Sequence, residues 1–404
     1  MLRSDTFNYI RLRGNYSFYP DKKSFHIKLN EGVSLLGMDK SKTWLLIASY
    51  EDNSMIRSAM TLDLAAAAGM PYTSDYRFAD VYVNHLYYGT YMACEKVRLD
   101  KSSVNISDLE KETEKLNDRA LDSYKTAGES KYRKNTMKYY KIPNNPPDIS
   151  GGYLLEVQSY DRYGEENCGF VTSYGTAILF KSPECASKEQ VSYMKTLTES
   201  FERAISAKDG MDPVTGKHFF EIADRDSLVG KYIIEEISKN VDANRRSFYL
   251  YKDKDEISEK LFFGPVWDYD SAYALYTNNY YKDKLTSPKG LFAAKDDDRA
   301  YYWFPKLYRH EEFVQAVKEA YNKTYRPLLL VLLGDTQGTR GLRSLNAYRD
   351  FLTPAAGANF YRWKTFNKSS FPVRTGADYI ENIEYLRTFL TERMHYLDSI
   401  WGME

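Results

Sequence analysis

The periodicity of the apolar residues changes along this chain, and that change limits its fold more than any other feature. Early on, Phe7-Asn8-Tyr9-Ile10-Arg11-Leu12-Arg13 alternates in part, and Ser24-Phe25-His26-Ile27-Lys28-Leu29 alternates apolar and polar residues clearly. A period of two marks a strand with one buried face, so residues 7–30 predict a β-hairpin. From 299 to 404 the pattern is mainly helical. A strand-rich half followed by a helix-rich half predicts an α+β fold, with a ligand cleft between the two.

Between these ends the elements follow from caps and runs. A helix is predicted over 54–69, capped by Asp52, Asn53 or Ser54 and ended by Gly69. Strands are predicted at 78–84 and 88–96, joined around Asn84-His85. Residues 106–150 are charged, then Pro-rich, and predict a helix opened by Ser107 and Glu110 within an exposed excursion. Strands return at 151–158 and 176–181. Helices follow at 187–205, opened by Ser187 with Gln190, and at 226–241, and short strands at 247–251 and 260–263.

The chain's 404 residues, 43% of them hydrophobic, suffice for one large domain or two lobes sharing a cleft. Lys+Arg and Asp+Glu are equal at 56 each, so no global basic field draws in nucleic acid or an anionic membrane. Three cysteines without a CxxC pair and five scattered histidines give no zinc site and no disulfide framework. No apolar run approaches the length of a transmembrane helix, and Met1-Leu2-Arg3-Ser4-Asp5 lacks the apolar stretch of a signal peptide. The 37 Tyr and 20 Phe suit surfaces that meet sugars, bases or peptides, or reflect a compositional bias of the source.

Four segments carry candidate chemistry. In Gly264-Pro265-Val266-Trp267-Asp268-Tyr269-Asp270 two carboxylates stand at i and i+2 after an apolar strand. In an extended segment both would face one side, as a Mg²⁺ site completed by phosphate oxygens needs; a strand ending in an acidic turn is the plainer alternative. Asn240-Val241-Asp242-Ala243-Asn244-Arg245-Arg246-Ser247 follows a helix and precedes a strand. Asp242 and Asp268 have the order and rough spacing of a kinase's hydroxyl-orienting and metal-binding Asp; helix capping by Asn240 or Asn244 is the alternative. The strand, charged turn and strand between them should return the chain and bring the two carboxylates to opposite walls of one pocket, with Asp270 nearby. Arg11-Leu12-Arg13-Gly14-Asn15, with Lys22, Lys23 and Lys28, can hold phosphate or form a solvated basic hairpin. Glu156, in Gly151-Gly152-Tyr153-Leu154-Leu155-Glu156, and Lys181, in Ile178-Leu179-Phe180-Lys181-Ser182-Pro183, can pair to position a nucleotide phosphate, or stand as ordinary sheet charges.

Taken in order, these segments resemble the CotH (spore-coat protein H) kinase family. The likeness also includes Trp44-Leu45-Leu46 through Asp52 and Arg57, Val83-Asn84 with Tyr88-Gly89-Thr90-Tyr91 and Glu95, and Leu386-Arg387-Thr388-Phe389-Leu390 with Arg393. It departs at Ser271 to Tyr276, where the family often has a small Gly-containing turn, and at Tyr16. The resemblance implies one domain over 1–404 with an atypical protein-kinase-like, two-lobed fold. Residues 1–185 would form the strand-rich lobe and 186–404 the helical one, with a nucleotide cleft between. It implies ATP with Mg²⁺ or Mn²⁺ and transfer to Ser or Thr of a protein, Ser-rich in characterised members. A binding or adhesion protein without the chemistry, and a kinase of a non-protein acceptor, are the alternatives. By this likeness Asp242 is the catalytic carboxylate, Asp268 a metal ligand and Asp270 its supporter. Tyr153 and Trp267 are adenine-stacking rings, and Lys28 and Lys181 compete as the phosphate lysine. Glu156 is that lysine's partner, with Arg13, Asn15 and Asn244 near the phosphates. The likeness favours a spore coat or the cell surface.

Overall fold

A computed structural model describes residues 6–14, 18–129, 134–159, 162–164, 166–243, 246–276, 286–295, 303–334, 341–365 and 376–402. Asn15 and Asn244, two of the phosphate-proximal candidates, lie outside them. The architecture is α+β, with two antiparallel sheets.

The first sheet has five strands in the order β1-β2-β3-β5-β4, namely β1 (Phe7–Leu12), β2 (Phe25–Ser34), β3 (Lys40–Ile47), β4 (Tyr76–Val83) and β5 (Leu86–Glu95). The predicted hairpin over 7–30 is β1 paired with β2, Arg11 opposite His26. The turn between β4 and β5 is Asn84-His85, both at positive φ (49° and 66°), the backbone that a two-residue hairpin turn of right-handed twist requires. Helix α1 (Arg57–Ala67) follows β3.

The second sheet has seven strands. β6 (Thr126–Gly128), β7 (Met137–Tyr140), β8 (Tyr153–Gln158), β9 (Gly169–Val171), β10 (Ala177–Ser182), β11 (Phe248–Lys252) and β12 (Phe262–Phe263) lie in the order β12-β11-β8-β10-β9-β7-β6. This sheet takes strands from both sides of the 185/186 division expected between lobes. It also corrects the reading of 106–150 as an exposed excursion. After helix α2 (Leu109–Glu114) that segment supplies β6 and β7, and it buries Leu109, Leu121, Tyr124, Tyr140 and Ile142 in the main core. The cap of α2 is Asp108, which accepts from Lys111 N, not Ser107. A short polar cap shifted by one residue leaves the same sequence signature.

Helix α3 (Lys188–Ser206) opens with the expected reciprocal cap of Ser187 and Gln190. Helices α4 (Phe219–Ile222) and α5 (Arg225–Ser238) precede β11. The remainder, described in part, is helical: α6 (Trp303–Leu307), α7 (Glu311–Ala320), a π-helical turn at Tyr321–Tyr325, α8 (Arg326–Leu333), α9 (Leu345–Trp363) and α10 (Tyr379–Trp401). α9 lies against β5: Thr90 N donates to Asn359 Oδ1 and Trp363 Nε1 to the Tyr88 carbonyl. Gly89 permits this approach, since a Cβ there would stand 2.7 Å from Trp363 Nε1. One main core spans both sheets and the helices, through Leu45, Met60, Leu155, Phe180, Ile234 and Leu390. A small core of Leu29, Val33, Met38, Trp44 and Ala93 covers the other face of the first sheet.

Candidate active site

Strand parity decides which side chains share a surface. On β8, Glu156 and Gln158 face a cleft of about 570 Å³; on β10, Leu179 and Lys181 do, and on β11, Tyr249. Leu179, Glu156 and Tyr249 stand in register across the three strands. The odd-numbered residues of β8 face the opposite way. Tyr153, three residues from Glu156, is therefore fully buried on the other face, stacked on Tyr193 and edge-on to Phe180, with its hydroxyl donating to the Ile149 carbonyl. It does not line the cleft, which corrects its reading as an adenine platform. Trp267 does line it.

The first sheet and its loops supply the facing wall, with Arg13, Gly14, Lys22, Ser24, Ile47 and Ala48. Arg13 lies over the Trp267 ring, 5.8 Å from its centroid. Lys22 is buried and donates to the carbonyls of Ala48 and Thr90, and burial lowers its pKa to about 7. It fastens the sheet more than it offers a charge to a ligand. Lys23 binds the Phe18 and Tyr19 carbonyls. Lys28 is exposed and lines a neighbouring pocket rather than the cleft.

Lys181 instead holds the cleft, with Nζ 3.3 Å from Glu156 Oε2 and 3.1 Å from Glu166 Oε1. Burial works against its charge, but the two carboxylates outweigh burial and raise its pKa. Burial raises Glu156 as well, against the pull of Lys181. Glu156 Oε1 also accepts from Ser247 N and Gln158 Nε2.

Asp242, Asp268 and Asp270 line the same cleft. Asp242 follows α5, whose end is made by Lys239 in the left-handed conformation and not by Asn240 as a cap; Asn244, the other cap candidate, lies outside the described residues. Lys239 Nζ donates to the Ser287 and Lys289 carbonyls. The antiparallel pairing of β11 and β12 then returns the chain to the cleft at Asp268.

The Asp268 to Asp270 segment is not the extended strand end that spacing suggested: Asp268 has φ 69°. The side chain between the two acids sets their place. Tyr269 is buried, and its hydroxyl donates to Glu235 Oε1 at 2.8 Å while accepting from Lys231 Nζ at 2.9 Å. Lys231 and Glu235 are themselves a buried pair at 2.6 Å on α5. Farther along, Arg57 Nε donates to the Ala272 carbonyl, and the Arg57 guanidinium is paired with Asp52. Tyr273 OH meets Thr61. Asp270 accepts from Ser271 Oγ at 3.0 Å. Burial first, and then the charge of Asp268, push its carboxyl up to about 8; Asp242 and Asp52 add to this.

Two residues that the sequence reading did not single out complete the site. Ser247, at φ 52°, donates its N–H to Glu156 and its hydroxyl to Asp268 Oδ2 at 3.1 Å, tying the Lys–Glu pair to the acidic loop. Glu166 is the second partner of Lys181. No local pattern marks either one, because each acts through strands distant in sequence.

Carboxylates crowded into one cleft suit a cation, which relieves their mutual repulsion. Among the described residues no three His, Cys, Asp or Glu groups could hold a metal unaided. A hard cation here would take two carboxylates and draw its other oxygens from a phosphate and water, the habit of Mg²⁺.

A family model described as CotH kinase protein, a kinase class by its description, matches residues 10–397, nearly the whole chain. The chain belongs to the CotH kinase family. No curated protein matches it. Such a family implies, in general terms, ATP and a divalent metal. No described helix is long and apolar enough to cross a membrane.

Proposed function

We propose that this protein is an ATP- and divalent-metal-dependent phosphotransferase with a two-lobed, protein-kinase-like arrangement over 1–404, acting on Ser or Thr of a protein acceptor. One observation carries the reading: a Lys–Glu pair and three carboxylates, from β8, β10, the end of α5 and the loop after β12, converge on one cleft.

In this reading Lys181, steadied by Glu156, holds nucleotide phosphate oxygens. Asp268 and Asp270 would hold Mg²⁺ or Mn²⁺, which when bound would supply positive charge to offset that developing on the transferred group. Trp267, with Arg13 over its ring, offers a face for the base. Asp242 orients the acceptor hydroxyl and takes its proton as the oxygen bonds to the γ-phosphorus. The bond from that phosphorus to the bridging oxygen breaks, and ADP leaves.

The test uses γ-labelled ATP with Mg²⁺ or Mn²⁺ and a Ser/Thr-containing protein acceptor, with and without a chelator. The wild type should transfer label and lose transfer on chelation. Asp268→Ala should lose metal-dependent nucleotide binding, while Asp242→Ala keeps binding and loses transfer by at least about 10²-fold. Full transfer by Asp268→Ala would overturn the mechanism. Nucleotide binding without transfer in the wild type would identify a binding protein on the same fold.

A further inference from the structure

Beside the cleft lies a larger pocket, about 860 Å³, which the proposed chemistry does not use. The two adjoin along the first sheet and share Lys181 as a wall. Alternate residues of each strand pass from one to the other: Arg13 to Arg11 and Tyr9 at β1, Ser24 to His26 and Lys28 at β2, and Ile47 to Thr43 on β3.

The pocket's cations exceed what its acids neutralise. Asp100 is paired with Arg98 at 2.9 Å and Asp108 with Lys111 at 2.6 Å, while Glu110 accepts the N–H groups of Glu184 and Cys185. Those hydrogen bonds do not cancel the charge of Glu110, so Glu31, Glu110, Glu114 and Glu184 remain. Against them stand Arg11, Lys28, Lys40, Lys42 and Lys96, none of which makes an ion pair among the described residues. His26 is a second, independent observation. It is only 6% exposed, its Nδ1 accepts from Arg11 Nε at 3.2 Å, and its Nε2 is buried with no partner. An accepting Nδ1 places the ring's proton on Nε2, so a neutral donor waits beside the cations for an acceptor. Burial and the neighbouring Lys96 and Arg11 hold the ring neutral.

We infer that this pocket binds a phosphate group already carried by the polypeptide acceptor, next to the residue being modified. The inference rests on the protein-kinase reading of the cleft. Several unpaired cations and one neutral donor match a dianion with several acceptor oxygens. Arg13 to Tyr9 spans four residues, roughly 13 Å at strand rise. A phosphate in the pocket and a hydroxyl in the cleft are therefore separated by several extended residues of the acceptor. Each phosphate added then creates the recognition element for the next.

The experiment is direct binding, by fluorescence anisotropy at fixed salt and without ATP. It compares a Ser-containing peptide, the same peptide with phosphoserine four residues from a serine, and a version with Glu in that place. Inorganic phosphate and a single-stranded RNA oligonucleotide serve as competitors. The phosphopeptide should bind at least tenfold tighter than the plain peptide. The double variant Lys40→Glu/Lys42→Glu, at two exposed positions of β3, should lose that preference while binding ATP unchanged. Equal binding of plain and phosphorylated peptides, or an unchanged preference in the double variant, overturns the inference. So does displacement by RNA far below the concentration at which free phosphate competes. Discrimination by a protein that transfers no label would uphold the pocket and refute the kinase reading. Transfer without discrimination would do the reverse.

Discussion

At the scale of single residues, Ser247 ties two functional groups together and has the sharpest consequence. Ser247→Ala keeps the N–H to Glu156 and removes the hydroxyl from Asp268. Catalytic efficiency should fall about tenfold, or about 1.4 kcal/mol, with little change in Tm; an unchanged kcat/KM would show the contact to be incidental. Glu95 gives a pH test. It is only 4% exposed, and burial, then Asp39, push its carboxyl up to about 7. An unfolded chain releases that proton near pH 4.3. Between the two values the native state holds a proton that the unfolded state has lost, so stability falls as pH rises through this window. Glu95→Gln should thus be more stable than the wild type at pH 8, by on the order of 1–3 kcal/mol, and lose that advantage near pH 4. Denaturant titrations at the two pH values measure it. Residue identity told much here: Glu156, Lys181, Asp242, Asp268 and Asp270 were all legible as candidates. Tyr153 was misplaced although its parity with Glu156 was open to reading, since residues three apart on a strand face opposite ways.

Among the elements, α5 is the mount for the acidic loop. Tyr269→Phe leaves the ring and takes one hydrogen-bond partner from each of the buried Lys231 and Glu235. The expected cost is about 1–3 kcal/mol, read as a fall of a few degrees in Tm, together with weaker metal-dependent nucleotide binding. A variant with wild-type Tm and binding would mean that the loop is placed by other contacts. The helices and hairpins were readable because their caps and periods are local: Ser187 with Gln190 for α3, Asn84-His85 between β4 and β5. β6 and β7 were not, because strands of three and four residues carry too few alternations to stand out from a charged loop. The left-handed backbone at Asp268 was hidden too, since it accompanies a long-range contact, from Tyr269 to Glu235 on α5, that the local sequence does not display.

Over the whole molecule, the thiols report on global opening. Cys94, Cys168 and Cys185 are free and buried, and burial pushes them up to about 12, 12 and 11. A thiol reagent at neutral pH should leave all three nearly unreacted in the native protein and label all three in denaturant; rapid labelling of the folded chain would contradict this burial. The α+β class was legible from the two periodicities, but the way the second sheet recruits β11 and β12 was not, because strand pairing across some ninety residues leaves no local trace. The clasp between Arg57 and the Ala272 carbonyl joins residues 215 positions apart. For a chain made from its N-terminus, this fixes an order of events. The first sheet and α1 can form from early segments, but their side of the cleft has nothing to close against until residues near 272 are available. The candidate cleft is thus completed only once about two thirds of the chain is made, and a half-made chain carries Glu156 and Lys181 without Asp242, Asp268 and Asp270.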